Sequence, residues 1–341
     1  MLDDDGSELI GRHRIRYDYL VIAVGSVTND FDTPGVLEHC LVLDERTQAD
    51  RFRQKLLNHC LRVSRAVAAE PECDAYVDVA IVGGGATGVE LAAELYNAAA
   101  ALRYYGLEVF EEKCLRVTLI EAGPRILPAL PEKLAEAAHH ELEALGVNVL
   151  ANTSISRVSE DGLWAQSGDF FPAHLKVWAA GVKGAEFLKK LDGLETNARN
   201  QLLVRPTLQT SRDDRIFALG DCCACTLDDG AGQVPPRAQA AHQMATTVFR
   251  NLRNLVNDRP LKSFAYRDHG SLVSLSRFST VGSLMGNLVG GRMAIEGRLA
   301  KFVYSSLYRM HLIAIHGWIK GGFLLLVGRV NKVVRPRMKL H

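Results

Sequence analysis

The chain has 341 residues, of which 48% are hydrophobic and 23% are charged, and 40 basic residues against 39 acidic ones give a formal net charge of +1. These values exclude a disordered chain, a collagen-like repeat and a generally basic nucleic-acid-binding protein. The near-zero net charge hides a split, because residues 292–341 contain 10 basic residues and 1 acidic residue. Such an asymmetry indicates that this end of the chain meets an anionic surface.

Strands and helices alternate along most of the chain. In chain order, the apolar patterns predict a strand at 14–25, a helix at 45–69, a strand at 77–82, a helix at 86–96, a strand at 116–121, a helix at 131–145, a strand from 147, short strands within 155–180, a strand at 215–219, a helix at 238–255 and strands near 264–282. This alternation is typical of an α/β fold with a parallel, doubly wound sheet. At ~150 residues per domain, the length predicts two or three domains.

A glycine cluster follows the predicted strand at 77–82 and opens the predicted helix at 86–96. Its Gly83, Gly85 and Gly88 fit the pattern G-x-G-x-x-G. In this context the first glycine permits a tight turn, the second lets the backbone approach a pyrophosphate, and the third lets helix and strand pack closely. The free N–H groups at the start of the helix then face the phosphates. The cluster therefore predicts a dinucleotide site, with a glycine turn that binds no ligand as the alternative.

An acidic residue, Glu121, ends the next predicted strand. A carboxylate at this position accepts a hydrogen bond from a ribose 2′-OH and repels a 2′-phosphate, which favours NAD over NADP. Glu121 lies 33 residues after Gly88, whereas the usual interval is ~20. We predict that residues 97–115 hold the extra length as an extended helix and loop.

Four of the seven cysteines are scattered singly along the chain, which favours a reduced protein over a disulfide scaffold. Cys222, Cys223 and Cys225 either pack a buried loop or bind a soft metal. We predict no metal site, because no second ligand cluster accompanies them. The acidic N-terminus lacks the apolar region of a signal peptide, and the apolar stretch 312–328 is short for a transmembrane span of ~20 residues.

The tail combines apolar and basic residues at helical spacing. Five apolar residues fall on one stripe of a helix, namely Leu299, Val303, Leu307, Met310 and Ala314. Arg298, Lys301 and Arg309 lie opposite. Apolar contact together with about 1 kcal/mol per basic residue near anionic lipid holds such a region on a membrane surface. The alternative is a helix that packs on the protein's own core.

Several motifs point to one family. They lie at residues 17–26 (YDYLVIAVGS), 79–95, 178–182 (WAAGV), 217–221 (FALGD), 236–243 (PRAQAAHQ) and 335–341 (RPRMKLH). The first four are typical of flavoproteins with two dinucleotide-binding domains. The last two narrow the match. Over essentially its whole length the chain resembles the type II NADH dehydrogenases, which are single-subunit flavoprotein NADH:quinone oxidoreductases, in their proteobacterial form.

The resemblance implies an FAD domain that is interrupted by an NAD(H)-binding domain and followed by a membrane-docking helical region. We therefore expect residues 1–45 to be a remnant of the FAD domain and 46–182 to bind NAD(H). Residues 183–258 are expected to return to the FAD domain with the quinone-site helix, and 259–341 to form the C-terminal strands and the basic amphipathic docking region. The family's first glycine fingerprint is absent ahead of Tyr17. We therefore expect an N-terminally truncated FAD domain with weakened affinity for FAD.

The resemblance also implies residues at the cofactors. Chain crossings beside the cofactors and the strand end that holds the FAD ribityl chain are expected at Ala23, Gly25, Ala180, Gly181, Gly220 and Asp221. Ala238 is a further expected cofactor-binding residue. Glu90 is expected near the point where the nicotinamide meets the flavin. Two alternatives stay open, namely Asp221 as a helix N-cap and Glu90 as an ordinary carboxylate in the first turn of a helix.

A quinone site is implied at the start of the predicted helix 238–255. Gln239 and Gln243 are four residues apart and so project from one helix face, close to Ala238. An amide donates to a quinone carbonyl and accepts from a quinol hydroxyl. Arg237 and His242 are neighbours that supply charge or a proton. The alternative is an ordinary polar stripe.

The function implied by the resemblance is NADH:quinone oxidoreduction in a respiratory chain without proton pumping. Hydride passes from NADH to FAD, and two electrons then pass to a membrane quinone. The implied partners are an anionic lipid surface and quinone, without nucleic acid. A homodimer is a candidate assembly, and the implied location is peripheral, on the cytoplasmic face of the inner membrane. Two other functions stay open: a flavoprotein disulfide or sulfide oxidoreductase that uses the cysteines at 222–225, and a non-catalytic membrane-associated NAD-binding fragment.

Overall fold

The computed structural model describes residues 14–70, 72–102, 114–227, 232–268, 270–275, 279–286, 291–296, 309, 312–313 and 315–328. The strands are β1 (Leu20–Ile22), β2 (Val27–Thr28), β3 (Val77–Val82), β4 (Leu115–Ile120), β5 (Val147–Leu150), β6 (Ile155–Val158), β7 (Gly162–Ala165), β8 (Phe170–Pro172), β9 (Leu175–Trp178), β10 (Val182–Lys183), β11 (Leu202–Leu203), β12 (Ile216–Ala218), β13 (Cys223–Ala224), β14 (Gly270–Leu275), β15 (Ser279–Gly286) and β16 (Gly291–Glu296). The helices are α1 (Val36–His39), α2 (Arg46–Ala69), α3 (Ala86–Leu102), α4 (Glu132–Ala144) and α5 (Ala238–Val256), with 3-10 turns at Glu186–Lys190 and Gly220–Cys222.

The chain divides into two compact units. The first contains the described residues up to Val27 together with Lys183–Arg267, and the second contains Thr28–Val182 and the described residues from Asp268 onward. The domain bounds expected from the resemblance assign segments to the FAD and NAD(H) sites. They are not defined in the same way as these two units, and they stay a prediction.

A four-stranded parallel sheet forms the centre of the second unit, in the order β5-β4-β3-β9. It confirms the predicted α/β fold with a parallel sheet. Val79 and Ile81 of β3 face one core, which contains apolar side chains of α2, α3 and α4. Ala80 and Val82 face a second core, which contains Leu163 of β7. Both faces of β3 are thus covered, which explains its continuous apolar sequence.

The cover of the second face differs from the doubly wound prediction. An antiparallel sheet of β6, β7 and β8, together with Val36 of α1, packs there in place of a layer of helices. The strands in 155–180 were expected, but their short apolar patterns do not show which layer they form. The parallel sheet therefore has helices on one face and an antiparallel sheet on the other.

The first unit is built around parallel pairs of short strands. β1 pairs with β12, with Leu20 opposite Ile216 and Ile22 opposite Ala218. Met244 and Val248 of α5 pack in the same core as Phe217. The strand predicted at 14–25 is shorter in the structure, because residues 14–19 are exposed and form no ladder within the described part of the chain.

The described C-terminal residues include a helical segment at 315–328. Gly317 adopts a left-handed conformation with φ +75°, and a Cβ on Gly321 would lie 3.0 Å from Cα of Ile313. The backbone therefore turns at Gly317 and brings Gly321 against Ile313. The predicted amphipathic stripe of Leu299, Val303, Leu307, Met310 and Ala314 falls outside the described residues. Within the part of the chain that is described, no helix is long and apolar enough to cross a membrane.

Candidate functional site

The glycine loop between β3 and α3 requires glycine at both of its ends. Gly83 has φ +113°, and a Cβ there would lie 2.7 Å from the carbonyl of Ala179. A Cβ on Gly88 would lie 2.0 Å from the Gly83 carbonyl oxygen. The first glycine thus makes the turn and passes close to the segment after β9, and the second lets α3 pack on the loop.

The middle of the loop is open. A Cβ on Gly85 would meet no atom within 4 Å, and Ala86 and Thr87, which begin α3, are exposed. N–H groups in the first turn of a helix have no partner within the helix, and the positive end of the helix dipole lies there. The space beside Gly85 therefore fits a pyrophosphate.

Glu121 connects this loop to the end of the neighbouring strand. Its Oε2 accepts the backbone N–H of Gly84 at 2.6 Å, and its Oε1 accepts the N–H of Gly123 at 2.7 Å. A carboxylate has about four acceptor positions, so each oxygen keeps capacity for a ribose hydroxyl. The carboxylate is half-buried and held in place before any ligand binds.

The segment after β9 lies beside the glycine loop. The Ala179 N–H donates to the Val82 carbonyl at 2.8 Å, and Gly181 has φ +64° with Phe31 close to its Cα. Ala180, between them, is half-buried. Of the predicted cofactor-binding residues, the structure thus brings Gly83, Ala180 and Gly181 to one edge of the parallel sheet.

Glu90 lies in the second turn of α3 and is half-buried. It takes part in an interaction of its own within the described residues. Its expected place beside a nicotinamide stays a prediction.

A second candidate site lies in the first unit, at the carboxyl ends of β1 and β12. Asp221 is half-buried there, and the Ser26 hydroxyl donates to its Oδ2 at 3.0 Å. Gly25 and Gly220 have φ +70° and +75°, and a Cβ on Gly25 would meet nothing within 4 Å. Ala23, just before Gly25, is exposed. Ligands bind at the carboxyl ends of parallel strands, and an acceptor carboxylate beside open glycine backbone fits the hydroxyl groups of a ribityl chain.

The alternative role of Asp221 as an N-cap is wrong. Asp221 lies inside the 3-10 turn Gly220–Cys222, whose N-cap is Leu219 and has no side-chain cap hydrogen bond. Its carboxylate accepts from Ser26 instead.

The two glutamines of α5 are in different environments. Gln243 Nε2 donates to the Arg267 carbonyl at 2.8 Å, and its Oε1 accepts the Arg267 N–H at 2.9 Å. Gln243 therefore attaches residue 267 to α5, and half of its hydrogen-bonding capacity is used. Gln239 is half-buried at the start of the helix beside Ala238, with Arg237 at the N-cap and the exposed His242 one turn away.

The three neighbouring cysteines are buried thiols without disulfides. Cys222 Sγ donates to the Leu219 carbonyl at 3.2 Å, and burial raises the pKa of both Cys222 and Cys223. A nucleophilic cysteine needs a lowered pKa and access, so this environment does not suit a redox-active pair. Within the described residues, no group of three or more His, Cys, Asp or Glu side chains is placed to hold a metal.

Two residues that the sequence did not assign contribute to these sites. Ser26 holds Asp221, and Gly84 donates its N–H to Glu121. The signal for Gly84 was the run of three glycines at 83–85, since a Cβ at the middle one would lie 2.9 Å from Cβ of Glu121. No pattern links Ser26 to Asp221, because they are 195 residues apart.

Comparison with known proteins identifies the family. Residues 3–245 match the pyridine nucleotide-disulphide oxidoreductase family. A type II NADH:quinone oxidoreductase from Haemophilus influenzae is 49% identical over 99% of this chain and 78% of its own length. One from Staphylococcus aureus is 28% identical over 82% of this chain and 68% of its own length.

The fold is also found in solved structures. The structure of NDH2 from Plasmodium falciparum in complex with NADH superposes with a TM-score of 0.77 at 20% identity, over 100% of this chain and 81% of that chain. An NAD-dependent persulfide reductase from A. fulgidus superposes with a TM-score of 0.58 at 22% identity, over 80% of this chain and 44% of that one. On these relationships the chain belongs to the type II NADH:quinone oxidoreductases, within the pyridine nucleotide-disulphide oxidoreductase family.

Proposed function

We propose that this chain oxidises NADH and reduces a quinone. The observation that carries the proposal is the arrangement of Glu121 beside the glycine loop, in a chain 49% identical to a type II NADH:quinone oxidoreductase. The open backbone at Gly85 receives the pyrophosphate, and Gly83 and Gly88 give the loop its shape. Glu121 accepts from the ribose 2′-OH. Its negative charge disfavours the 2′-phosphate of NADPH.

The residues at the carboxyl ends of β1 and β12 are our candidates for holding FAD. Asp221 accepts from the ribityl hydroxyls, Ser26 keeps the carboxylate oriented, and the backbone at Ala23, Gly25 and Gly220 borders the cofactor. Ala180 and Gly181 play the same part beside NADH, and Glu90 lies toward the nicotinamide. The flavin, when bound, supplies the two-electron chemistry that connects NADH to the quinone.

We place the quinone near the start of α5. Gln239 donates to a quinone carbonyl, Gln243 keeps residue 267 attached to the helix while offering its second N–H, and His242 is the candidate proton source. Arg237 and Ala238 border the same turn. The family's substrate is a quinone, and a membrane quinone is dissolved in lipid. We therefore expect the site to open toward the lipid.

A peripheral position on a membrane is supported by the C-terminal helix. Trp318, Ile319 and Phe323 are 82%, 89% and 66% exposed. Aromatic and aliphatic side chains exposed together on a helix are typical of contact with the lipid interface. We therefore propose attachment to an anionic lipid surface, on the cytoplasmic face of the inner membrane. The homodimer implied by the resemblance stays a prediction, which a light-scattering mass of the purified chain tests.

Steady-state kinetics tests the proposed function. The full chain, supplied with FAD, is assayed for NADH oxidation with and without a short-chain ubiquinone. We expect oxidation that depends on both FAD and quinone, with NADPH a poor substitute. NADH binding without quinone-dependent turnover would support the non-catalytic NAD-binding fragment instead. Activity that disappears when Cys222, Cys223 and Cys225 are replaced by Ser, in a chain that still folds, would support the cysteine-using oxidoreductase.

A further inference from the structure

Helix α2 carries a line of basic side chains on its outer face. Arg51, Lys55, Arg62 and Arg65 are all exposed. With Asn58, their spacing of four, three, four and three residues places them on one face of the helix. The opposite face is buried in the core through Phe52, Leu56, Cys60 and Val63. From Arg51 to Arg65 the line is about 21 Å long.

Within the described part of the chain, the four cations have no acidic partner. The acidic residue within α2 is Asp50, which already pairs with Arg53 at 3.3 Å and Arg46 at 3.8 Å. Among the described residues, none of the four basic residues of the line takes part in an ion pair. Like charges one turn apart destabilise a helix, so an unneutralised line has a cost for the fold. It stands in a part of the chain, residues 1–291, that is acidic overall.

The local surface and field both suit a phosphate group. Asn58, Leu61, Arg62 and Arg65 border a depression of about 230 Å³ on the outer face of the helix. The pKa of His59 is lowered, mainly by burial and further by His174, Arg62 and Lys55. Two guanidinium groups and an amide beside a depression give several donors to one phosphate.

We infer that this face of α2, which we call the α2 basic face (Arg51, Lys55, Asn58, Arg62 and Arg65), binds the headgroups of an anionic lipid bilayer. The inference rests on the proposed membrane association. A straight line of long basic side chains suits a flat surface of phosphates better than it suits a curved protein partner. Leu61, 44% exposed, is the large apolar side chain that α2 exposes within the described residues. The contact is therefore electrostatic and lies at headgroup level. The C-terminal helix of the same unit supplies the apolar contact.

The contact would add a second, salt-sensitive attachment. Each basic residue near an anionic surface contributes roughly a fivefold increase in partition coefficient, and four contribute about 10²–10³-fold at low ionic strength. Because these side chains are exposed, their contribution to membrane binding falls as salt shortens the Debye length. The contribution of the apolar C-terminal helix does not fall with salt.

Vesicle flotation of the full chain with FAD tests the inference. The vesicles are phosphatidylcholine alone, or phosphatidylcholine and phosphatidylglycerol in a two-to-one ratio. We expect the double variant Arg62→Gln and Arg65→Gln to lower partition onto the anionic vesicles about 25-fold at low salt, and to leave partition onto phosphatidylcholine unchanged. The variant that also carries Arg51→Gln and Lys55→Gln should lose about 10²–10³-fold.

The matched control is Arg250→Gln with Arg253→Gln, an exposed pair with the same spacing near the end of α5. It should keep wild-type partition. NADH oxidation with a water-soluble quinone analogue should be unchanged in all variants. Wild-type partition of the four-residue variant onto anionic vesicles, or an equal loss in the α5 control, would overturn the inference. If the true partner is an acidic protein, the four-residue variant should show wild-type partition onto the anionic vesicles. If the wild-type chain does not reduce quinone, that result counts against the proposed function, independently of the partition measured with vesicles.

Discussion

The backbone N–H of Gly84 donates to Oε2 of Glu121 at 2.6 Å, which joins the glycine loop after β3 to the end of β4. This carboxylate fixes the glycine loop, and in the proposed function it has a second role, which is to present a negative charge to the adenosine ribose.

Replacement of Glu121 should affect both roles, namely the shape of the glycine loop and the contact with the ribose. Glu121→Gln removes the charge and keeps one acceptor, so we expect the KM for NADH to rise about tenfold, since hydrogen bonds to a charged group contribute about 1.5–3 kcal/mol. The kcat should change little, and the preference for NADH over NADPH should narrow. The kinetics of both cofactors measures this. An unchanged cofactor preference would contradict the role of Glu121.

Substitutions at two glycines of the loop should have different effects, one on stability and the other on NADH binding. Gly88→Ala places a Cβ 2.0 Å from the Gly83 carbonyl oxygen and should destabilise the protein by about 3 kcal/mol, at the upper end of overpacking costs. Gly85→Ala meets no atom within 4 Å and should unfold like the wild type while binding NADH more weakly. Thermal unfolding and NADH titration measure the two effects. A stable Gly88→Ala protein with normal affinity would contradict the loop geometry.

Ser26 should act on flavin affinity through Asp221. We expect Asp221→Asn and Ser26→Ala each to weaken FAD binding about tenfold, because each removes or misorients one charge-assisted acceptor. Ser211→Ala is the control, since the Ser211 hydroxyl donates to a Glu195 carboxylate at 2.7 Å in the same unit. Its flavin affinity should be normal. Flavin fluorescence on titration with FAD measures all three, and equal losses in Ser26→Ala and Ser211→Ala would refute the assignment.

The two glutamines of α5 should have different effects. Gln243→Ala loses both hydrogen bonds to Arg267 and should lower the free energy of unfolding by about 1–2 kcal/mol. Gln239→Ala should lower kcat/KM for quinone about tenfold and leave the KM for NADH unaffected. Denaturant unfolding and quinone kinetics distinguish the pair. Normal quinone kinetics in Gln239→Ala would place the quinone elsewhere.

Buried thiols should make the fold sensitive to alkaline pH. Burial raises the pKa of Cys60 from 9.0 to about 12. Between these values the unfolded chain has lost the thiol proton and the folded chain keeps it, so stability falls as pH rises. One such group contributes up to ~1.4 kcal/mol per pH unit, and no change below its unfolded pKa. Denaturation series from pH 8 to about 11 should show a shallower decline in Cys60→Ala, and an identical slope would contradict the burial argument.

Local pattern predicted the elements that build the dinucleotide site. The helix at 45–69, the strand at 77–82 and the strand from 147 match α2, β3 and β5, because each has an uninterrupted apolar period and a clear stop. Helix α3 continues past residue 96 to Leu102, into the extension predicted at 97–115, since Ala98, Ala99 and Leu102 are buried in the core.

The sequence did not predict contacts between residues that are far apart in the chain. Short strands were expected at 155–180, but their sequence does not show that they pair as an antiparallel sheet or that they cover one face of the parallel sheet. The helical spacing of Gln239 and Gln243 is correct, yet the spacing does not show that Gln243 binds Arg267. The predicted strands near 264–282 begin only at Gly270, and residue 267 is held by a side chain of α5 instead of a ladder.

An anaerobic titration of flavin absorbance tests the central claim most directly. The full chain loaded with FAD is mixed with NADH and then with a short-chain ubiquinone. We predict that one equivalent of NADH bleaches the flavin band, that one equivalent of quinone restores it, and that Glu121→Gln needs more NADH for the first step. A flavin band that NADH leaves unchanged, or a bleached band that quinone fails to restore, would contradict the assignment of this chain as an NADH:quinone oxidoreductase.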